Sequence, residues 1–110
     1  MKKFIAIYMA PTAAMEEMMK SSTPEQRKAG MQEWTDWSKS HKEIVDLGAP
    51  FGKNMRVRKE GITPERNEMA GYSFVEAESQ EAAAKLLQGS PHFQIPGAYI
   101  EIMECVQMGM

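Results

Sequence analysis

The sequence predicts an α+β fold, an antiparallel sheet with its helices on one face. Three observations carry that expectation: strand-length segments apolar on both sides, two capped helical segments between them, and Gly or Pro punctuating the junctions. From Lys2 to Met9, Phe4, Ala6 and Tyr8 fall on one side and Ile5, Ile7 and Met9 on the other, so the segment reads as a strand covered on both faces. Pro11 ends it. Ala13 to Lys20 has helix-forming composition and reads as a short helix or an ordered loop.

The next segment carries a sharper start signal. Thr23 as N-cap, Pro24 at the first helical position and Gln26 at the third form a capping box, which predicts a helix from Pro24 to about Lys42. Met31, Trp34, Ser38 and His41 recur at steps of three and four with Trp37 beside them, so this side of the helix is expected to face the sheet. Ile44 to Leu47 reads as a short strand, broken by Gly48, Pro50 and Gly52. A second extended run covers Asn54 to Lys59, and Gly61 to Glu68 reads as a polar loop.

Gly71 to Ala77, rich in aromatic and β-branched residues, is expected to be a central strand. Ser79 caps a helix from Gln80 to Gln88 whose buried stripe is Ala83, Leu86 and Leu87, and Gly89 stops it. Pro91 and Pro96 frame a loop. Tyr99 to Val106 is the last strand, with Tyr99, Met103 and Cys105 opposite Ile100, Ile102 and Val106.

The resulting order of strand, helix, strand, strand, helix, strand is that of a ferredoxin-like plait (βαββαβ), here a single domain spanning residues 1–110. Helices on one face leave the other bare. Strands apolar on both sides need a cover there, and the simplest is an identical sheet in a two-fold homodimer.

Composition excludes several classes. With 43% hydrophobic and 25% charged residues, the 110-residue chain is neither collagenous nor a coiled coil. A single cysteine, Cys105, rules out an intrachain disulfide, and eleven methionines would be liabilities outside a reducing compartment, which points to the cytoplasm. The apolar run before Pro11 is too short for a signal-peptide core or a membrane span. A net charge of -2, with Glu76 and Glu78 at the end of the central strand and just beyond it, argues against nucleic acid as a partner.

Few residues are equipped for chemistry. His92, in the loop after Gly89 and Pro91, either moves a proton to or from a small organic substrate or fastens its own loop to the backbone. His41, near a helix end, either serves the helix dipole or packs on Trp37. Tyr8, Met31, Trp34, Trp37 and Tyr72 are candidates for the walls of a substrate pocket between helix and sheet, core packing being the alternative. Asp36 reads as solvated unless it turns toward a histidine. No cofactor motif is evident, and one Cys with two separated His gives no metal-ligand cluster. Cys105 reads as an apolar core or interface residue. Arg56, Arg58 and Lys59 suit either an anionic ligand or a solvated edge strand.

Four segments together, Met31-Gln32-Glu33-Trp34-Thr35-Asp36-Trp37, Gly48 with Pro50, Gly71-Tyr72-Ser73-Phe74-Val75-Glu76-Ala77-Glu78-Ser79 and Gly89-Ser90-Pro91-His92, resemble the YCII-related family, especially its DGPF branch. The resemblance covers nearly the whole chain and implies the dimeric α/β-barrel superfold. Two departures bear on activity. The branch's Asp-Gly-Pro-Phe motif is replaced by the stretch Thr63-Pro64-Glu65-Arg66-Asn67. Family members also carry a His on the first helix and an Asp before a proline near the last loop, proposed as a catalytic pair; Met31 and Ser90 stand at the corresponding positions, so that pair is not carried over. The expectation is a cytoplasmic homodimer holding a small organic molecule, with cofactor-free proton transfer (isomerase- or lyase-like) through His92, or alternatively a non-catalytic metabolite-binding or regulatory module.

Overall fold

In the computed structural model, which describes residues 1–108, the chain runs β1 (Lys2–Met9), α1 (Thr12–Ser21), α2 (Pro24–Lys39), β2 (Ile44–Asp46), β3 (Asn54–Arg58), β4 (Gly61–Glu65), β5 (Met69–Ala77), α3 (Gln80–Leu87), a 3-10 turn (Pro91–Gln94) and β6 (Tyr99–Glu104). Strand β1 pairs on both edges, with β5 through a register that sets Phe4 opposite Val75 and with β6 through one that sets Ala6 opposite Ile102. The four-stranded sheet has the order β2-β5-β1-β6 with every neighbouring pair antiparallel. With three α-helices this is an α+β architecture compatible with an α/β plait.

One sheet face carries the core. Phe4, Ala6 and Tyr8 of β1 and Val75 and Ala77 of β5 lie buried against Trp37 of α2 and Ala83 and Leu87 of α3. Burying side chains of the size of Phe4, Val75 and Leu87 stabilises by roughly 1.5–3 kcal/mol each. The opposite face is also apolar: Ile5, Ile7, Met9, Tyr72 and Phe74 are half-buried, and Met103, at 48% exposure, lies open beside them. Lys3 crosses this face, its Nζ 4.6 Å from the centre of the Phe74 ring.

Both helix caps form as their sequences require. Thr23 Oγ1 accepts from the Gln26 amide while the Gln26 side chain accepts from the Thr23 amide, and Ser79 accepts from the Ala82 amide. The Ala13 to Lys20 segment, open between helix and loop in the sequence, is helical throughout α1, though none of its residues is buried.

Three expectations are corrected. The Gly61 to Glu68 stretch is not a loop: Gly61–Glu65 is a strand, paired with β3 in a separate two-stranded sheet in which Val57 faces Ile62 and Arg58 faces Gly61. Its polarity and Pro64 hide it in the sequence, but an edge strand tolerates a proline that has no N–H to donate. Helix α2 stops at Lys39, short of Lys42: the Ser40 amide makes the last i to i−4 bond, to the Asp36 carbonyl, and the His41 amide turns instead to the Ser38 carbonyl at 3.3 Å. Strand β6 ends at Glu104 rather than Val106, leaving Cys105 exposed beyond it, although the Cys105 amide still donates to the Lys3 carbonyl at 2.8 Å.

After β2 the chain keeps to the edge of β5 through Gly48, whose φ of 74° is open to glycine. A Cβ there would also overlap the Tyr72 carbonyl oxygen. Gly48→Ala is therefore expected to lower stability by about 2–4 kcal/mol. Gly30→Ala, inside α2 with no atom near the added methyl, is expected to raise it by about 0.5–1 kcal/mol. Urea unfolding of the two variants checks both signs.

Candidate functional site

Between α2, the segment 47–50 that follows β2, and the 3-10 turn lies a cleft of about 520 Å³, ample for a small organic molecule. Trp34 and Met31 of α2 form one wall, Gly48 to Pro50 and Gly71 the facing one, and Tyr8 and His92 the inner end. The segment 47–50 is fixed by backbone bonds to β5, from Phe51 N–H to the Ala70 carbonyl at 2.8 Å and from Tyr72 N–H to the Ala49 carbonyl at 3.3 Å. Its closeness depends on Gly71: a Cβ there would lie 3.0 Å from the Ala49 carbonyl oxygen.

Tyr8 is 4% exposed, and its hydroxyl donates to Ser73 Oγ at 2.8 Å. Ser73, fully buried, donates in turn to the Leu47 carbonyl at 2.6 Å. The chain of donors ties β1, β5 and the start of the 47–50 segment together. Burial pushes the Tyr8 phenol above its ordinary pKa, and the bond to Ser73 only partly opposes the shift.

His92 is 3% exposed. Ser90 caps the 3-10 turn by accepting from the His92 amide at 3.1 Å, and Pro91 presets its first residue. The ring reaches back to β1, where Nε2 lies 2.7 Å from the Met9 carbonyl oxygen. A carbonyl only accepts, so Nε2 carries the hydrogen and, in the neutral ring, Nδ1 keeps the lone pair. Nδ1 has no protein partner, and the one buried unpartnered side-chain N or O atom among the described residues is Trp37 Nε1, so Nδ1 is not sealed off, and His92 is among the residues that line the cleft. His92 thus fastens its loop and borders the cavity at once.

The aromatic candidates separate. Tyr8, Trp34, Trp37 and His41 form a row in which Tyr8 and Trp34 meet edge-on with ring centres 4.9 Å apart, Trp34 and Trp37 at 5.7 Å, and Trp37 and His41 at 5.4 Å. Tyr8, Met31, Trp34, Tyr72 and His92 border the cleft, whereas Trp37 lies in the core and does not reach it. A step of three residues carries the helix from the cleft-side ring to the core-side ring. Met31 is 73% exposed, at the mouth, and not turned to the sheet as its spacing suggested. His41 Nδ1 bonds the Trp37 carbonyl at 2.8 Å and serves the end of α2. Asp36 accepts from Gln32 at 2.8 Å on the exposed side of α2 and meets neither histidine.

Among the lining residues that the sequence reading does not nominate are two polar ones in contact, Glu33, whose carboxylate accepts from the Gln94 side-chain amide, and Gln94 itself. Neither spacing nor composition singles them out, because the contact joins α2 to the 3-10 turn across 61 positions. Arg56 belongs to the β3–β4 hairpin, paired with Glu65 at 3.6 Å, and with Arg58 and Lys59 takes no part in the cleft. No group of three or more His, Cys, Asp or Glu among the described residues could hold a metal ion, and no described helix is long and apolar enough to cross a membrane. A scan against protein-family models finds no match for the chain, and a comparison with curated proteins also finds none.

The raised Tyr8 pKa sets a pH dependence. An unfolded tyrosine ionises near about pH 10 while the folded one stays protonated, so the folded state binds more protons and stability falls as pH rises above that value. Tyr99, held protonated by its hydrogen bond to Glu68, acts in the same direction. Chemical denaturation at stepped alkaline pH should therefore give a steeper loss for the native chain than for Tyr8→Phe; parallel profiles would contradict the assignment.

Proposed function

We propose that this chain is a small, cytoplasmic, homodimeric YCII-like protein that binds a small organic molecule between α2 and the sheet and moves a proton on it through His92 without a cofactor. The single observation that carries the reading is His92 itself: a nearly buried imidazole with one nitrogen committed to the Met9 carbonyl and the other without a protein partner, in a residue that borders a cleft walled by Trp34 and Tyr8. A ring held by one nitrogen keeps its orientation while the other exchanges a proton. Isomerase- or lyase-like chemistry of this kind needs no metal or redox group.

The fold assignment within this proposal is the ferredoxin-like plait. The order β2-β5-β1-β6, with α2 and α3 packed on the same sheet face, supports it. The uncovered face supports the dimer. Ile5, Ile7, Met9 and Phe74 on adjacent strands leave an apolar surface that a second copy can cover symmetrically, and roughly 800 Å² per subunit makes a stable interface. This is the sheet-to-sheet arrangement of the dimeric α/β barrel.

A second reading, a non-catalytic metabolite-binding module, draws on one observation. Met31 and Ser90 stand where the resembled family has its His and Asp, and Ser90 is occupied in capping the His92 turn. Both readings require an occupied cleft, and turnover separates them.

Two measurements test the proposal. Light scattering should give twice the 12.4 kDa chain mass, and Ile5→Glu, which sets a carboxylate among Phe74 and Met103, should give single chains; a native chain that stays single at micromolar concentration overturns the dimer. Thermal denaturation against a library of lactones, phenolics and acids should reveal a ligand that stabilises by about 2.7 kcal/mol at a hundredfold excess over Kd. Trp34→Ala should abolish that gain. No stabilisation by any member would remove the ligand reading.

A further inference from the structure

The inner end of the cleft offers hydrogen-bond acceptors and almost no donors. Tyr8 spends its hydroxyl hydrogen on Ser73, so its oxygen can only accept from a ligand. His92 spends Nε2–H on Met9 and, in the neutral ring, presents Nδ1 as a lone pair. Thr35, on the α2 wall, gives its hydroxyl hydrogen to the Met31 carbonyl at 2.9 Å. Glu33 adds a carboxylate, and neither lysine nor arginine lines the cavity. The Trp34 indole N–H and a remaining Gln94 side-chain amide hydrogen can donate, but neither is a cation, so an anionic ligand would lose its water shell without gaining an opposite charge.

A molecule that brings its own donor meets the opposite balance. The nearby walls are aromatic and set edge to face, which suits a flat ring. Resting on the reading of this cleft as the binding site, we propose that it selects neutral aromatic molecules bearing a hydroxyl group, the phenol class, with the ligand O–H donating to His92 Nδ1 beside the Tyr8 oxygen, and that it rejects carboxylates. The same contact names the first chemical step available. The O–H bond breaks, its proton passes to Nδ1, and its electron pair stays on the phenolic oxygen, giving an imidazolium and a phenolate with no change of oxidation state.

The full chain tests this with three probes of matched shape: 2-naphthol, its methyl ether 2-methoxynaphthalene, and 2-naphthoate. Titration calorimetry at about pH 7.5, where an ordinary imidazole and a phenol are both neutral, should give 2-naphthol an affinity at least about tenfold above each of the others. In His92→Phe, 2-naphthol and its ether should bind alike. Nitrogen-15 spectra of the histidine-labelled native chain supply a readout that needs no variant: the unprotonated Nδ1 resonance should move with 2-naphthol and stay in place with the ether. Equal binding of naphthol and ether, tighter binding of naphthoate, or an unmoved Nδ1 resonance overturns the selectivity while leaving the cleft reading intact, provided Trp34→Ala still weakens the probe that binds. Binding by none of the three overturns both.

Discussion

The hydrogen-bonded chain from Tyr8 through Ser73 to the Leu47 carbonyl is the constraint on which the rest of the site depends. A phenol hydroxyl and a serine hydroxyl both lie within the layer between sheet and helices, where an unpaired polar group costs on the order of 1–3 kcal/mol. Each donor here finds an acceptor, and the last acceptor belongs to the segment that forms the cleft wall. The position of that wall is thus set from inside the sheet. Gly48 and Gly71 then let the segment lie flush against β5 where a side chain would hold it off.

The same economy governs His92. One nitrogen fastens the 3-10 turn to β1, so the ring is oriented by the strand that forms the middle of the sheet. The structural reading of this histidine engages one nitrogen, and the chemical reading proposed for it would fall to the other, so the two alternatives that the sequence sets against each other do not compete for the same atom. Trp34 and Trp37 divide similar alternatives between two residues, one at the cavity and one in the core.

Much of the architecture was legible because local signals agreed with long-range ones. The capping box at Thr23, the N-cap at Ser79, the double-sided apolar character of Lys2 to Met9, and the β-branched and aromatic run before Ala77 all act over a few residues and appear in the structure where their chemistry places them. The β4 strand was not legible: Gly61–Glu65 has no apolar alternation of its own and owes its conformation to pairing with β3 across the turn at Lys59 and Glu60. At the site, the rings and the imidazole could be nominated by residue type. Their partners could not, because the contacts of Ser73 with Leu47 and of Gln94 with Glu33 span 26 and 61 positions and depend on how the layers close.

The row of rings running from Tyr8 to His41 also gives the molecule an optical property. Its two indoles stand only 5.7 Å apart, yet one borders the cavity and the other is embedded among Phe4, Val75 and Leu87. Emission from the outer indole responds to whatever displaces solvent beside it, and emission from the inner one responds to loss of tertiary packing. A single intrinsic fluorescence signal therefore reports both the filling of the cavity and the integrity of the core, with no label attached.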